Sequence, residues 1–181
     1  IQSINKLKQY LNDYPQDLIA RYNYGYMCQQ CNKTDIAKKN YLKVISKDPK
    51  HWQSKFNIYT IYIAEKYYSK ALIYVEEVLK IKKNYQPAQR DKGLILYYMK
   101  KPDEALKYIM FSIKQNSLDY LAFNVLGLIL ISLKKYDKAK KAFLEGIKIE
   151  PKYIASYNNL GHCYTLVNEK DNALKTFKKG L

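Results

Sequence analysis

Apolar and polar residues follow one another along the chain in a pattern that predicts pairs of short helices. Within residues 120–133 the apolar positions fall at helical spacing on two adjoining faces, Leu121, Val125 and Leu128 on one and Leu126, Leu130 and Leu133 on the other. Lys134 and Lys135 interrupt this run. Small or apolar residues then return at three- and four-residue spacing until Pro151 prevents further helix. The stretch therefore predicts two helices joined by a short turn.

The same pattern recurs with a period of 34 residues. Three series of residues keep this phase: Gly93, Gly127 and Gly161; Ala37, Ala71, Ala105, Ala139 and Ala173; and Pro15, Pro49 and Pro151. One pair of helices cannot cover its own apolar faces, so the copies must stack and bury a continuous core. The periodicity therefore predicts an all-α array of stacked helix pairs.

Small residues predict where the two helices of a pair approach each other. Glycine at Gly127 leaves no side chain to hold the backbones apart, and it costs about 1 kcal/mol of helix propensity relative to alanine. Close packing must offset that cost. Ala139 plays the same part on the second helix without the cost. We therefore expect Gly127→Val to destabilise the protein by about 1–3 kcal/mol.

These features resemble the tetratricopeptide repeat, a 34-residue helix–turn–helix unit with a large aromatic residue, Leu-Gly, then Ala, Phe, a small residue and Pro. Two copies carry the pattern most fully, one with Phe123, Leu126, Gly127, Leu130, Ala139, Phe143, Gly146 and Pro151, and the last with Tyr157, Leu160, Gly161, Tyr164, Ala173, Phe177 and Gly180. The resemblance covers the whole chain. It implies an all-α fold, a right-handed α-solenoid whose antiparallel helix pairs form a superhelix.

The register divides residues 1–181 into repeats of a single array. Residues 1–15 are interpreted as the second helix of a truncated repeat, and the following copies are 18–51, 52–85, 86–119, 120–153 and 154–181, the last one incomplete. The expected helices lie near 18–31, 34–47, 52–65, 68–81, 86–99, 102–115, 120–133, 136–149, 154–167 and 170–181. Tyr59 replaces the glycine of the second copy and should widen its helix pair or point aside. We interpret the chain as a fragment of a longer array.

The net charge is +16, and among 32 basic residues only Arg21 and Arg90 are arginines. Many lysines lie in pairs on second helices and loops, such as Lys140-Lys141, which the resemblance places on the outer, convex side. Two interpretations stay open: a solvated face, or a surface that contacts a polyanion such as acidic protein tails, nucleic acid or anionic lipid. The scarcity of arginine argues against sequence-specific binding of nucleic acid.

Residues that could support catalysis or hold a metal are sparse. Cys28 and Cys31 form a C-x-x-C motif, and His162 with Cys163 could supply further ligand atoms, but no second pair has the matching spacing. The sequence contains no phosphate-binding glycine loop, nucleophile elbow or zinc-protease motif. We therefore expect no enzyme activity, no metal and no cofactor. Free thiols are typical of a reducing compartment, which predicts a cytoplasmic location.

The resemblance implies that a partner binds in the concave groove lined by the first helix of each copy. The family's ligand-facing positions hold Tyr22, Asn23, Tyr26, Phe56, Asn57, Arg90, Leu94, Tyr98, Asn124, Val125, Leu128, Asn158, Asn159 and His162. This surface combines aromatic, amide and aliphatic groups. It lacks the cationic clamp with which co-chaperone members hold a carboxylate, because Arg90 stands alone. We expect it to hold an extended peptide or an amphipathic helix.

The expected function is protein–protein interaction, as a scaffold or adaptor within a larger protein or assembly. The partner should dock mainly on the second to fourth copies, through apolar contacts at Phe56, Leu94, Tyr98, Val125 and Leu128 and hydrogen bonds from Asn57 and Asn124. Two alternatives stay open: a lysine-rich convex face that binds a polyanion, and a substrate-selecting arm of a transferase whose catalytic domain lies outside this sequence. We expect no small-molecule substrate, nucleic acid or membrane span, and self-association stays open.

Overall fold

The computed structural model describes residues 2–181, and within them every regular element is an α-helix. The helices are α1 (Gln2–Asp13), α2 (Leu18–Gln30), α3 (Thr34–Lys47), α4 (Trp52–Ala64), α5 (Tyr68–Ile81), α6 (Gln86–Tyr98), α7 (Pro102–Gln115), α8 (Tyr120–Ser132), α9 (Tyr136–Ile149), α10 (Ile154–Leu166) and α11 (Lys170–Lys179). The predicted all-α fold class is confirmed. Ile1, which the sequence analysis assigned to the leading helix, lies outside the described residues.

We call the even-numbered helices α2 to α10 first helices, and the odd-numbered helices α3 to α11 second helices. Each first helix ends one residue earlier than the sequence pattern predicts. The cause is a residue with positive φ two positions beyond each end, the series Asn32, Lys66, Lys100, Lys134 and Asn168, with φ between 56° and 63°. The next backbone N–H then donates to the carbonyl five positions back, as from Lys135 to Leu130 at 2.8 Å. This left-handed cap ends the helix and aims the chain into the second helix.

Contacts divide the described chain into two compact units, one ending at Lys83 and the other beginning at Asn84. In the first unit, α2 pairs with α3 and α4 with α5, while α3 also packs against α4. Helix α1 contacts α2 and places Ile4 and Leu11 in the same apolar core as Tyr41. It therefore occupies the place of a second helix in front of α2.

The second unit contains three helix pairs, α6–α7, α8–α9 and α10–α11. Its first helices α6, α8 and α10 pack directly on one another, and α7 and α9 each contact the next first helix. One core cluster joins Leu130, Phe143, Leu160 and Cys163, which come from three successive helices. Side chains from neighbouring repeats thus share a core, as a stacked array requires.

Aromatic rings from second helices occupy the space left by first-helix glycines. A Cβ atom added to Gly161 would lie 2.5 Å from Cε1 of Phe177, and one added to Gly127 would overlap three ring atoms of Phe143, the farthest of them at 2.7 Å. These glycines are required by packing, as the sequence predicts. The nearest atoms belong to an aromatic ring of the second helix, while at Gly25 and Gly93 the added Cβ would also meet the carbonyl oxygen of the repeat's alanine, Ala37 at 3.4 Å and Ala105 at 3.3 Å.

In the second copy the large residue of this contact lies on the first helix and the smaller one on the second helix. Tyr59, in the glycine position, is fully buried, and so is Val75, which stands where the fourth copy has Phe143. The smaller second-helix residue leaves room for the tyrosine, so Tyr59 does not point aside. The Tyr59 ring meets that of Phe56 edge-on at 4.9 Å between centroids.

Candidate protein-interaction surfaces

The predicted groove residues differ widely in their exposure. Asn23, Tyr26, Tyr98, Asn158 and His162 are exposed. Tyr22, Phe56, Asn57, Arg90, Leu94, Leu128 and Asn159 are half-buried, and Asn124 and Val125 are buried. Because side chains on neighbouring first helices contact each other, half of the predicted groove residues are partly covered by the protein itself.

In the first unit, an amide expected to bind a partner is bonded within the protein. Asn57 Nδ2 donates to the hydroxyl of Tyr22 at 3.3 Å, which ties α4 to α2. The Tyr22 ring also lies 5.1 Å from the His51 ring and 5.8 Å from the Tyr41 ring. Tyr41 is fully buried, and burial raises the pKa of its hydroxyl, so this cluster is part of the packing of the unit. Tyr26 is the more open aromatic group of this face.

In the second unit, Arg90 is neutralised by internal carboxylates. Its Nε donates to Asp91 at 2.9 Å and its Nη1 to Asp119 at 3.1 Å, and the Asp119 side chain is only 7% exposed. Burial opposes the charge of Arg90, but the two carboxylates outweigh it and raise the pKa of the guanidinium. Asp119 also caps α8 by accepting from the N–H groups of Leu121 and Ala122. Arg90 therefore fastens α6 to the start of α8 and is not open to a partner's carboxylate.

Asn124 and Val125 correct the predicted contact surface. Asn124 Oδ1 accepts from Asn159 Nδ2 at 2.9 Å, so these amides join α8 to α10. Val125 is only 5% exposed, because its face of α8 is covered within the stacked helices. It cannot provide the open apolar contact that the sequence analysis assigned to it. The apolar circumference of α8 is thus covered largely by the repeats on either side.

An open surface remains on the first helices of the second unit, which we call the first-helix patch. It consists of two rows of residues at the 34-residue period, Leu94, Leu128 and His162 in one and Tyr98, Ser132 and Leu166 in the other. Tyr98 is 42% and Leu166 45% exposed, and Ser132 and His162 are exposed as well. The rows lie one helical turn apart on helices that pack directly together.

Not all second-helix lysines are solvated. Lys140 donates to Glu169 at 2.8 Å and lies 2.9 Å from Asp137. Lys38, in the same repeat position, lies 2.7 Å from Glu65 and 3.1 Å from Asp35. The hydrogen bond from Lys140 lowers the pKa of Glu169, and the bond to Glu169 raises the pKa of Lys140. These two lysines link successive repeats, whereas Lys134, Lys135 and Lys141 are exposed.

The thiols and histidines are dispersed. Cys28 is buried while Cys31, the residue after α2, is exposed, so the helix ends before the two thiols can share a face. Burial raises the pKa of the Cys163 thiol, whose Sγ lies 3.7 Å from the carbonyl of Tyr136. Within residues 2–181 no three His, Cys, Asp or Glu side chains are grouped closely enough to hold a metal. In that same range no helix combines the length and apolar character needed to cross a membrane.

Comparisons with known proteins agree on the repeat type. A family model for the tetratricopeptide repeat matches residues 19–51, 120–153 and 154–181, together just over half of the chain. A search of curated protein sequences finds no match.

Solved structures show the same fold at low sequence identity. MamA from Desulfovibrio magneticus RS-1 is 18% identical with a TM-score of 0.79, over 91% of this chain and 93% of that one. YrrB, described as a TPR protein with an unusual peptide-binding site, is 20% identical with a TM-score of 0.72, over 96% and 90%. PilW, described as a widely conserved type IV pilus biogenesis factor, is 17% identical with a TM-score of 0.83, over 91% and 76%. The helical-repeat architecture and the matched repeats together place the chain in the tetratricopeptide repeat family.

Proposed function

We propose that the protein is an interaction scaffold that binds an extended or helical segment of a partner on its first-helix patch. The observation that carries this proposal is a pair of in-register rows on α6, α8 and α10 whose side chains are exposed or half-buried, while the neighbouring polar side chains are bonded internally. Repeat proteins of this kind generally serve protein–protein interaction, and aligned first helices give such a surface its length.

The composition of the patch suits an apolar or amphipathic segment. Leu94, Tyr98, Leu128 and Leu166 supply aliphatic and aromatic area, and His162 is the only ionisable group in it besides the tyrosine. Rows one turn apart on adjacent helices can receive side chains at regular intervals along a bound segment. Since no lysine belongs to the patch, binding there should depend little on salt.

The internal bonds around the patch give it a fixed shape. Arg90 and Gln86 both donate to the Asp119 carboxylate, and Gln86 also bonds the buried hydroxyl of Ser112. The amide pair Asn124–Asn159 holds the next two first helices together. A surface that is ordered before binding avoids part of the entropy cost of association. Because Arg90 and Asn124 make these internal bonds, we do not expect them to contact the partner directly.

Affinity capture with single variants tests this proposal. We expect Leu128→Asp and Leu166→Asp to lose a partner captured by the wild-type chain, because each places a charge among apolar contacts. Leu118→Asp is the matched control, since Leu118 is 72% exposed in the turn before α8 and lies outside the patch. Circular dichroism should show unchanged helicity for all three.

Salt dependence separates the patch from the lysine-rich side. Capture through the patch should persist across a salt series, whereas capture through lysines should weaken steeply. If Leu128→Asp and Leu166→Asp hold the partner as tightly as Leu118→Asp does, the patch is not the docking surface. A cytoplasmic scaffold without catalytic activity of its own, and a role as the substrate-selecting arm of a transferase, stay predictions that need the parent protein.

A further inference from the structure

An apolar groove lies between the second helices α7 and α9, on the side of the second unit away from the first-helix patch. Its volume is about 440 Å³. Phe123, Leu126 and Leu130 of α8 form the floor, and Leu106 and Met110 of α7 form one wall. Met110 is 52% exposed, so the groove is open to solvent along that wall. Sequence reasoning did not predict this groove.

Lysines border the opposite wall. Lys135, Lys138 and Lys141 line the groove from the start of α9, and all three are exposed. Spacing of three residues places them along one edge of the helix. Within the described part of the chain, none has a carboxylate at ion-pair distance, whereas Lys140 on the same helix is paired with Asp137 and Glu169. Glu145 also lines this wall and lies 3.9 Å from Lys148, so the groove combines an apolar floor with an excess of positive charge.

The first unit provides an internal comparison, because the same repeat positions there are satisfied by the protein itself. Phe123 and Glu145 of the groove correspond to Lys55 and Glu77, which form an ion pair in which Lys55 is buried and Glu77 is half-buried. Lys138 corresponds to Lys70, whose ammonium group lies 5.7 Å from the Tyr62 ring and 5.2 Å from the Tyr67 ring. In the second unit these partners are absent, since Phe123 replaces the buried lysine and Leu130 replaces Tyr62.

The groove recurs one repeat later. Between α9 and α11 a second groove of about 320 Å³ is lined by Leu144, Tyr157, Leu160 and Tyr164, with Lys175 and Lys179 beside them. Leu144 and Tyr157 stand 34 residues after Met110 and Phe123, so the two grooves lie in register. A single segment with apolar side chains at regular intervals could therefore enter both.

From this arrangement we propose that the α7–α9 groove binds an acidic, apolar segment of a partner protein, with aliphatic or aromatic side chains on the floor and carboxylates against Lys138 and Lys141. Charge complementarity selects this occupant. A second copy of the chain would bring its own net charge of +16 to the same place. A nucleic acid would use the lysines but leave the apolar floor uncovered. This surface is separate from the first-helix patch and adds a second docking site to the scaffold.

The probe for the test is a synthetic helical peptide with leucine and phenylalanine on one face and glutamate elsewhere. One control peptide carries serine in place of the leucine and phenylalanine, and another carries glutamine in place of glutamate. Fluorescence anisotropy measures the affinity of each peptide for the 181-residue chain. We expect the parent peptide to bind and both controls to bind at least about tenfold more weakly, because each has lost one of the two complementary features.

Variants locate the site. Met110→Glu and the double reversal Lys138→Glu/Lys141→Glu should each weaken binding at least about tenfold. Phe111→Glu is the control for the first, since Phe111 neighbours Met110 on α7, is 42% exposed and does not line the groove. The control for the second is Lys39→Glu/Lys43→Glu, a reversal of two exposed lysines on α3. Neither control variant should change the affinity by more than about twofold.

Several outcomes would overturn the proposal. Equal affinity for the serine peptide would show a polyanion surface without use of the apolar floor. Binding to phosphatidylserine vesicles, lost in Met110→Glu while the peptide does not bind, would assign the groove to a membrane surface. Failure of the parent peptide to bind, or unchanged affinity in Met110→Glu, would show that the groove takes no such segment. Leu128→Asp should leave peptide affinity unchanged, so this test is independent of the first-helix patch.

Discussion

Replacing Gly127 with alanine should destabilise the protein, although alanine is the better helix former. The added Cβ would lie 2.7 Å from Cδ1 of Phe143 and closer still to Cε1 and Cζ. Carbon atoms pack at about 3.5–4.0 Å, so the ring must move by roughly 1 Å or more. Phe143 is fully buried, and because protein interiors are close-packed, this movement must displace neighbouring side chains. The strain therefore falls on the core shared by α8, α9 and α10.

The expected magnitude follows from two opposing contributions. Overpacking of a core costs typically about 1–3 kcal/mol, and alanine returns about 1 kcal/mol of helix propensity. Because three ring atoms are overlapped, we expect the upper part of the overpacking range, which leaves a net loss of about 1–2 kcal/mol. Gly93→Ala is the matched control, since its added Cβ would meet the Ala105 carbonyl at 3.3 Å and Ile109 Cβ at 3.5 Å. That variant should be close to neutral.

Urea denaturation followed by circular dichroism measures both variants, with the m-value reported beside the midpoint. The double variant Gly127→Ala/Phe143→Leu adds a specific check. Leucine removes the overlapped ring atoms, so the double variant should be more stable than the sum of the two single losses predicts. A Gly127→Ala midpoint at or above that of the wild type, or a loss equal to that of Gly93→Ala, would refute the packing argument.

Three further predictions use the same denaturation assay. Ser156→Ala should stabilise by about 1 kcal/mol, because its buried hydroxyl has no hydrogen-bond partner in the protein. Lys134→Gly, at φ 56°, should stabilise by about 1 kcal/mol, while Lys135→Gly, at φ −92°, should destabilise. The hydrogen bond from Lys140 lowers the pKa of Glu169 below its usual value of 4.5. The stability that this bond contributes is therefore complete above pH 4.5 and is lost as the pH falls through the lowered pKa of Glu169. The stability difference between wild type and Glu169→Gln should therefore shrink on acidification, and a difference that persists in acid would contradict this.

The spacing of apolar and small residues along the sequence was enough to predict the helices of this protein. Apolar spacing, prolines and the glycine and alanine series locate ten of the helices to within a residue or two, and the period identifies which of them are equivalent. The turn residues were a missed signal. Asn32 and Asn168 stand at the positive-φ position of two turns, and asparagine tolerates that conformation better than most residues. A comparison of the five turns could have predicted where each first helix ends.

Tertiary structure decided which side chains stay open to a partner. A helical period assigns a residue to a face, but the covering of that face depends on the particular residue that the next repeat offers. Val125 is covered by its neighbours, and Asn124 is bonded to an asparagine 35 positions later. Arg90 meets two carboxylates that no spacing rule pairs with it. Because the copies differ at these contacts, side chains at equivalent repeat positions are covered in one copy and exposed in another.

The α7–α9 groove shows most clearly that the sequence predicts the helices but not the surfaces formed between them. Lys55 and Phe123 stand at equivalent positions of the repeat, where the family has a large aromatic residue. Only the packed structure shows that Lys55 closes its site with Glu77, whereas Phe123 leaves a groove between two second helices. The helices and their period could be predicted from the amino-acid pattern, because both depend on contacts local in the chain. The open surfaces depend on the volume and charge of side chains that meet across repeats, and those meetings exist only in the folded protein.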